Sequence, residues 1–591
     1  MPHRHLAPEA DAAKGPVRVA RALRESLREG YSGRDLRADV LSGIVVGIVA
    51  LPLAMALAIA SGVPPQHGLY TSIVAGALIA VLGGSRTSVS GPTAAFVVLL
   101  TPVSHRFGVG GLVLATFLAG LILVVLGLSK MGRLIQFIPY PVTTGFTAGI
   151  GVVIAVLQLK DFFGLSVPEM PEHFPERVVA LAKALPSLHV PDLAVGAFTL
   201  AVLMVWPRLV RRVPAPLVAM ALGAALAWIL TKLLPDFSVD TIASRFSYVS
   251  GGQVLPGIPR TPPRFEWPWN WPGPDGPPLV PSLDLLRQLI GPAFAIATLG
   301  AIESLLCAVV ADGMAGTKHD SDAELFALGV GNLVAPLFGG IAATGAIART
   351  ATGIRAGSRT PIAAVVHAAF VLAAVLLLAP LLSYLPMASL AALLLVVAWN
   401  MSDVRHFVHV MRVAPKSDML VLMTCFSLTV VFDMVVAVSV GIVLAALLFM
   451  RRMAEFSSVR FAEDFHPHLR DPHLKDVVVY EIAGPLFFGA AEKAISTIER
   501  VRGKARAVIL VMDGVPVMDV TGLVALESAI EKLHAHRTFV VLAGVQAQPR
   551  EVLEKAGVLE QPGKLAMCRD GAEAVLIVRL TLGLDELPSG V

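Results

Sequence analysis

"VSGPTAAFVVLLTPV", residues 89–103, is apolar enough to enter a bilayer but at fifteen residues is short for crossing one, because a spanning helix needs about 20. A second stretch, "TGAIARTATGI" at 344–354, has the same character. Each follows a glycine-bearing run, "LGGSRTSVSGP" before the first and "FGGIAATG" before the second. A helix that starts inside a membrane turns its free N–H groups and the positive end of its dipole inward. Two such ends facing each other make an anion site. Corresponding short, Gly- or Pro-interrupted segments are the sequence mark of a transporter site between inverted repeats.

The rest of the chain supports a membrane setting. Its 591 residues are 55% hydrophobic and 15% charged, with mean hydropathy +0.74, whereas a soluble chain is about 25% charged. A larger core does not explain the excess, since large proteins split into domains rather than become more apolar. Fourteen apolar segments can be drawn, at 39–60, 68–83, 90–103, 111–128, 134–157, 192–207, 216–234, 286–311, 324–339, 346–354, 361–380, 386–401, 418–432 and 434–450. The two short ones are third and tenth, which are equivalent places in two halves of seven.

Basic residues set the orientation. Arg34 and Arg37 precede the first segment, and Arg86, Lys130 with Arg133, Arg208 with Arg211 and Arg212, Lys318, Arg355 with Arg359, Arg405 with Arg412 and Lys416, and Arg451 with Arg452 follow the even-numbered ones. This positive-inside pattern predicts a multi-pass protein with both termini in the cytoplasm. The opening residues lack the apolar h-region of a signal peptide and read as a cytoplasmic tail, 1–34. The transmembrane domain is predicted over 35–453, with an extracytoplasmic loop at 235–285, a linker at 454–473 and a soluble domain at 474–585. Within the loop, Trp267, Trp269 and Trp271 stand among prolines, as expected of a Pro-stiffened surface loop or of rings resting at the headgroup level. Cys307, Cys425 and Cys568 are scattered and odd in number, which fits neither a disulfide framework nor a zinc site.

Arg349 lies near the start of the second short helix. A cation there is unfavourable unless an anion is shared between it and the dipole. A bound carboxylate or sulfate would satisfy both; the alternatives are snorkelling to an interface or a structural pair with Glu303. Glu303 interrupts the apolar run "LGAIESLLCAVV". An acid at a helix centre costs roughly 2.5–3.5 kcal/mol on insertion scales. A carboxyl protonated in one access state and ionised in the other couples proton movement to solute movement; the alternative is a fixed structural acid. Around this pair the expected anion site includes Gly91, Thr93 and Phe96 from the first short helix and Gly345, Ala346 and Ala348 from the second. Asp312 and Lys318 read as an interfacial cluster. No cofactor or metal is expected.

Beyond 474 the pattern is that of a small α/β domain. "DVVVYEIAG", "ARAVILVMDG" and "TFVVLAGV" read as strands, and "GAAEKAISTIERV", "MDVTGLVALESAIEKLHAH" and "PREVLEKAGV" as helices. It has no phosphate loop and no nucleophile–base pair, so no enzymatic activity is expected.

Taken together, "SGVPPQHGLYTS", "VSGPTAAF", "GAIESLLCAVVADGMAGTKHDSDAELFALGVGN" and the tail "MDVTGL" resemble the SulP anion transporters, or solute carrier family 26, with their C-terminal STAS domain. The resemblance runs over nearly the whole chain after about residue 32. "GIVALPLAMALAIASGV", "LGAIESLLCAVV" and "LLLVVAWNMS" resemble more closely still the DauA-type C4-dicarboxylate transporters. The resemblance implies a polytopic α-helical fold of fourteen transmembrane segments in two inverted seven-helix repeats, a core domain moving against a gate or scaffold domain, and a homodimer. It implies a substrate held between helices three and ten, and uptake of succinate, fumarate or aspartate with protons across the bacterial inner membrane. Sodium-coupled bicarbonate members have aspartate and threonine where this chain has Glu303 and Cys307. A thiol is a poor ligand for hard sodium, which favours proton coupling. Ala348 replaces a serine typical of animal members, which removes a hydroxyl donor. Thr521 matches the phosphorylated serine of anti-sigma-factor antagonists, so phosphosite and helix cap are both open readings. Acyl carrier protein is a partner implied for the tail in some DauA-like chains. The rival expectations are sulfate or bicarbonate transport within the family, an uncoupled anion channel, and a membrane-anchored regulator.

Overall fold

The computed structural model describes residues 19–132, 139–168, 170–171, 173–210, 213–250, 252–274, 276–280, 282–432, 434–456, 458–461, 476–487 and 505–583. Contacts divide the chain into two compact units, Met1–Ile442 and Val443–Val591. In chain order the first unit holds α1 (Arg21–Arg28), α2 (Gly33–Ala60), α3 (Pro65–Leu82), β1 (Ser90–Gly91), α4 (Ala94–Leu128), α5 (Tyr140–Phe162), α6 (Phe174–Ala184), α7 (Val190–Leu209), α8 (Ala215–Leu233), the one-turn α9 (Ile242–Arg245), β2 (Ser247–Ser250) and β3 (Gln253–Pro256). There follow α10 (Leu283–Ala315), α11 (Ser321–Val334), β4 (Thr344–Gly345), α12 (Ile347–Arg355), α13 (Ile362–Leu382), α14 (Met387–Ser402), α15 (Val404–Val413), α16 (Lys416–Val431) and the start of α17 (Met434–Phe456).

Among the described residues ten helices are long and apolar enough to span, and every one of the fourteen drawn segments falls on a helix. Segments three and four merge in α4, where Gly108 leaves the helical region (φ 65°, ψ −169°) and separates 94–107 from 109–128. Alpha-11, α12 and α16 are shorter, at 14, 9 and 16 residues. Arg133, Arg211 and Arg212 lie outside the described residues.

The helices sort into two bundles. In one, α2, α3, α4, α10, α11 and α13 pack together; in the other, α5 packs on α14 and α16, and α7 on α8 and α14. Small residues let the backbones approach, the usual device where lipid removes the hydrophobic drive between helices. At the α4–α11 contact, a Cβ on Gly120 would stand 2.5 Å from Leu333 N, and one on Gly329 would stand 2.5 Å from Val124 N. Overpacking costs typically about 1–3 kcal/mol. Gly329→Val is therefore expected to lower the melting temperature in detergent by several degrees; an unchanged melt would show that the contact is not tight.

The chain ends of α1–α3 and of α10–α13 meet on one face. Arg21 pairs with Asp320 at 2.7 Å, Arg359 Nη1 with Asp35 at 2.5 Å, and Ala20 N–H donates to Leu82 O at 2.8 Å. Arg86 pairs with Glu29 at 2.5 Å, and this hydrogen-bonded guanidinium holds the Glu29 carboxyl below its usual value, so acidification through that value weakens the contact. Residues 21–28, read as part of a tail, are thus a helix docked on the first bundle.

The opposite face carries the 235–285 loop, which lies at the surface as expected and is fastened to both bundles. Trp271 packs edge-on to His67 (centroids 5.2 Å apart), Pro272 O accepts from Gly110 N–H at 2.8 Å, and Leu337 O accepts from Glu266 N–H at 2.7 Å. Trp267 and Trp269 stack on each other at 4.9 Å and remain partly exposed. The earlier part of the loop is held by the second bundle, through Arg245–Asp161 at 2.6 Å and Met387 N–H to Asp240 O at 2.8 Å.

The second unit is a five-stranded sheet in the order β5 (Ser458–Phe461), β6 (Val477–Ala483), β7 (Ala507–Gly514), β8 (Phe539–Ala543), β9 (Leu565–Cys568), parallel except for β5. The edge strand β5 falls within the stretch expected to be a linker; pairing to β6 makes it part of the sheet. Alpha-18 (Val520–Ala535) and α19 (Ala547–Lys555) cover one face through Leu526, Ile530, Leu533 and Leu553. Alpha-20 (Gly571–Leu582) covers the other through Ala574 and Val578. The helix expected over "GAAEKAISTIERV" lies outside the described residues.

Candidate functional site: two broken helices and a buried guanidinium

The two short segments meet. Beta-1 and β4 pair antiparallel, Ser90 opposite Gly345 and Gly91 opposite Thr344. Alpha-4 and α12 begin immediately after these strands, with Thr93 and Ala346 as N-caps in extended conformation. Their first turns therefore start from one shared two-strand ribbon and run apart. The ribbon is stitched further by Ala346 N–H to Val89 O (2.9 Å), by Val89 N–H to Thr350 Oγ1 (2.9 Å), and by Thr344 Oγ1 to Gly300 O (2.8 Å) on α10. Neither N-cap side chain closes its helix end, so first-turn N–H groups of both helices are left for another acceptor.

Arg349 is 1% exposed. It does not snorkel, and among the described residues it forms no ion pair with Glu303. Its Nη2 donates to Pro92 O at 3.1 Å, while Nε and Nη1 have no partner. Gly91 lies against it, so that a Cβ there would displace Nη1 and stand 3.3 Å from Ser72 Oγ. The Ser72 and Ser90 hydroxyls, also buried, are unpartnered as well. A buried cation with unused donors is strongly unfavourable, and an anion is the chemistry that would complete it.

Glu303 is partly buried on α10. Its Oε2 accepts from Thr93 Oγ1 at 2.9 Å. One turn on, Cys307 Sγ lies 3.2 Å from Thr350 Oγ1 and 3.7 Å from Ser88 Oγ. Gly345 sits flush on α10, where a Cβ would be 2.9 Å from Cys307 Cβ.

The structure thus brings together Gly91, Thr93, Glu303, Gly345, Ala346 and Arg349. Phe96 is 1% exposed and packs against α10 at Gly300, so it forms wall rather than open surface. Ala348 points to the exposed side, away from the buried guanidinium next to it. Asp312 binds its own turn, accepting from Thr317 Oγ1 at 2.8 Å and from His319 N–H at 2.8 Å, in line with an end-of-helix role. Glu324 was not anticipated: it is buried on α11 and accepts from Gly84 N–H and Ser85 N–H, both at 3.0 Å, tying the glycine run before β1. Ser72 and His367, whose two ring nitrogens are buried and unpartnered, also carry no distinguishing sequence signal. Thr521, in the second unit, is exposed in the first turn of α18. It is not the cap, because Asp519 holds that place and accepts from Gly522 N–H at 2.8 Å.

A multi-pass helical protein in which two broken helices start beside a buried arginine has the architecture of an anion transporter rather than an enzyme. The chain belongs to the sulfate permease family, the SulP anion transporters: the family's model matches residues 36–425, and that of the STAS domain matches 468–572. "Putative sulfate transporter YvdB" of Bacillus subtilis is 39% identical over 91% of this chain and 96% of its own length. The bicarbonate transporter BicA of Picosynechococcus is 30% identical over 91% of this chain and 94% of its own. The structure of murine Slc26a9 in its inward-facing state covers 98% of this chain and 96% of its own with a TM-score of 0.81 at 19% identity, a likeness of fold.

Proposed function

We propose that this protein is a proton-coupled importer of C4-dicarboxylates such as succinate, fumarate and aspartate, working by alternating access. The observation that carries the reading is the ribbon of β1 and β4, which sets two open helix N-termini beside the buried Arg349 and the Thr93–Glu303 pair. Arg349 and the helix ends supply the positive potential for one carboxylate, and Glu303 carries the coupled proton. Cys307 occupies a place next to Thr350 where a hard sodium ion would want an oxygen, which supports protons as the driving ion. The bundle containing the site moves against the bundle of α5, α7, α8, α14 and α16. Both termini face the cytoplasm, the protein works in the bacterial inner membrane as a homodimer, and the STAS unit is the place for a cytoplasmic partner, with acyl carrier protein a candidate.

Sulfate or bicarbonate is the second reading, favoured by the names of the relatives. Reconstituted uptake with and without an inward proton gradient separates the two. Unlabelled fumarate is expected to block labelled succinate uptake, and a matched excess of sulfate to leave it unchanged. Block by sulfate with no effect of fumarate would replace the dicarboxylate reading. Flux indifferent to the pH step, with no accumulation against a gradient, would point to a channel.

A further inference from the structure

The two ionisable groups of the site do not touch each other, yet both hold consecutive residues of one loop. Arg349 Nη2 donates to the Pro92 carbonyl at 3.1 Å. Thr93 Oγ1 donates to Glu303 Oε2 at 2.9 Å. The Pro92 carbonyl and the Thr93 N–H belong to the same planar peptide unit, so the guanidinium and the carboxyl are linked through a rigid group and one hydroxyl.

Thr93 also bonds in an unusual way for a threonine in its position. It stands at the N-cap of α4 with φ −122° and ψ 158°, the geometry in which a threonine oxygen commonly accepts from the N–H of the second or third helical residue. Here it makes no such bond. Its oxygen is turned to Glu303 instead; the hydroxyl has one proton to give, and an ionised carboxylate, which can only accept, takes it. A protonated carboxyl is itself a donor, and the Thr93 proton is then released toward the open end of α4.

We propose that Thr93 is the relay that links the proton on Glu303 to the anion. With Glu303 ionised, the hydroxyl is turned to the acid and the helix end has one donor fewer. With Glu303 protonated, the same hydroxyl donates to the anion at the helix end. Proton binding and anion binding then strengthen each other, as linkage requires. The one covalent change is the O–H bond of Glu303, formed when a proton from solution is taken up with one anion and broken when that proton is released with it. The charged and titratable groups around the relay are Arg349 on α12, Cys307 one turn along α10, Glu324 on α11 and His367 on α13 beside Arg349. None of them lies on the first turns of α4. This inference rests on the reading of Glu303 as the coupling acid.

The test uses the full-length protein in detergent and calorimetric titration with succinate, and in parallel with inorganic sulfate, from pH 5 to pH 8. In the wild type, the dissociation constant of the anion that binds is expected to rise by up to about tenfold per pH unit, the limit for one linked proton. In Thr93→Val, which keeps the shape and removes the hydroxyl, that rise should shrink to less than about threefold across the whole range. Thr93→Ser should restore it. Glu303→Gln should be flat. If the valine variant does not fold, Thr93→Ala removes the same hydroxyl and takes its place. A steep pH dependence in a hydroxyl-less variant, with Glu303→Gln flat, would overturn the relay and leave the coupling acid standing. A flat wild type would overturn both, and a steep Glu303→Gln would move the proton to another group.

Discussion

Replacing Arg349 with alanine is expected to raise the dissociation constant of the transported anion at least about 100-fold, roughly 3 kcal/mol. Truncating one member of a buried charged pair typically costs about 2–5 kcal/mol, and in this protein the guanidinium is 1% exposed with two of its nitrogens unused. Two helix ends alone contribute less, since a macrodipole interaction is worth typically about 0.3–1 kcal/mol, up to about 2 when partly buried. Arg349→Lys keeps the charge and loses the planar fork, so its affinity should fall between wild type and alanine. Stability separates loss of binding from loss of fold. An unpaired buried charge burdens the empty protein, so Arg349→Met, similar in volume and uncharged, should bind as poorly as alanine while melting no lower than wild type. Binding within about threefold of wild type in a folded Arg349→Ala protein would remove the guanidinium from the site.

Much of this arrangement is legible in the chain, for identifiable reasons. Length against bilayer thickness marks 89–103 and 344–354 as short, and an arginine or a glutamate in an apolar run is conspicuous because insertion penalises it. The pairing of the two segments is another matter. The ribbon consists of two residues from each side, Ser90–Gly91 and Thr344–Gly345, and a two-residue strand has no periodicity to read. The Gly108 break inside α4 falls in the gap already drawn between the segments 90–103 and 111–128, although the glycine itself looks like those that pack helices. Glu324 looks like one more acid beside Asp320 and Asp322, and only the fold carries it under the Gly84–Ser85 backbone. Ser72 is an ordinary small polar residue until Arg349 arrives beside Gly91 from residues far along the chain. At "DVTG" both Asp519 and Thr521 have capping side chains, and the backbone alone selects Asp519. In the 235–285 loop, proline content signals stiffness but not that Trp271 is seated on His67.

Glu303→Gln is expected to abolish accumulation driven by a proton gradient while leaving exchange of anion for anion intact. Glutamine imitates the protonated acid in shape and neutrality but has no proton to release. With a pH step of two units, each coupled proton supplies about 2.7 kcal/mol, enough for roughly 100-fold accumulation. The wild type should use that gradient, and the variant should stop at equal concentrations inside and out. Exchange under equal pH requires no net proton movement, so labelled anion should still enter vesicles preloaded with unlabelled anion. The Thr93 oxygen can accept from the glutamine amide where it formerly donated to Glu303 Oε2, so the variant keeps a partner at that place and should fold. Loss of exchange as well as accumulation would make Glu303 part of the anion-holding structure, and gradient-driven accumulation at the wild-type level would mean that its proton does not drive transport.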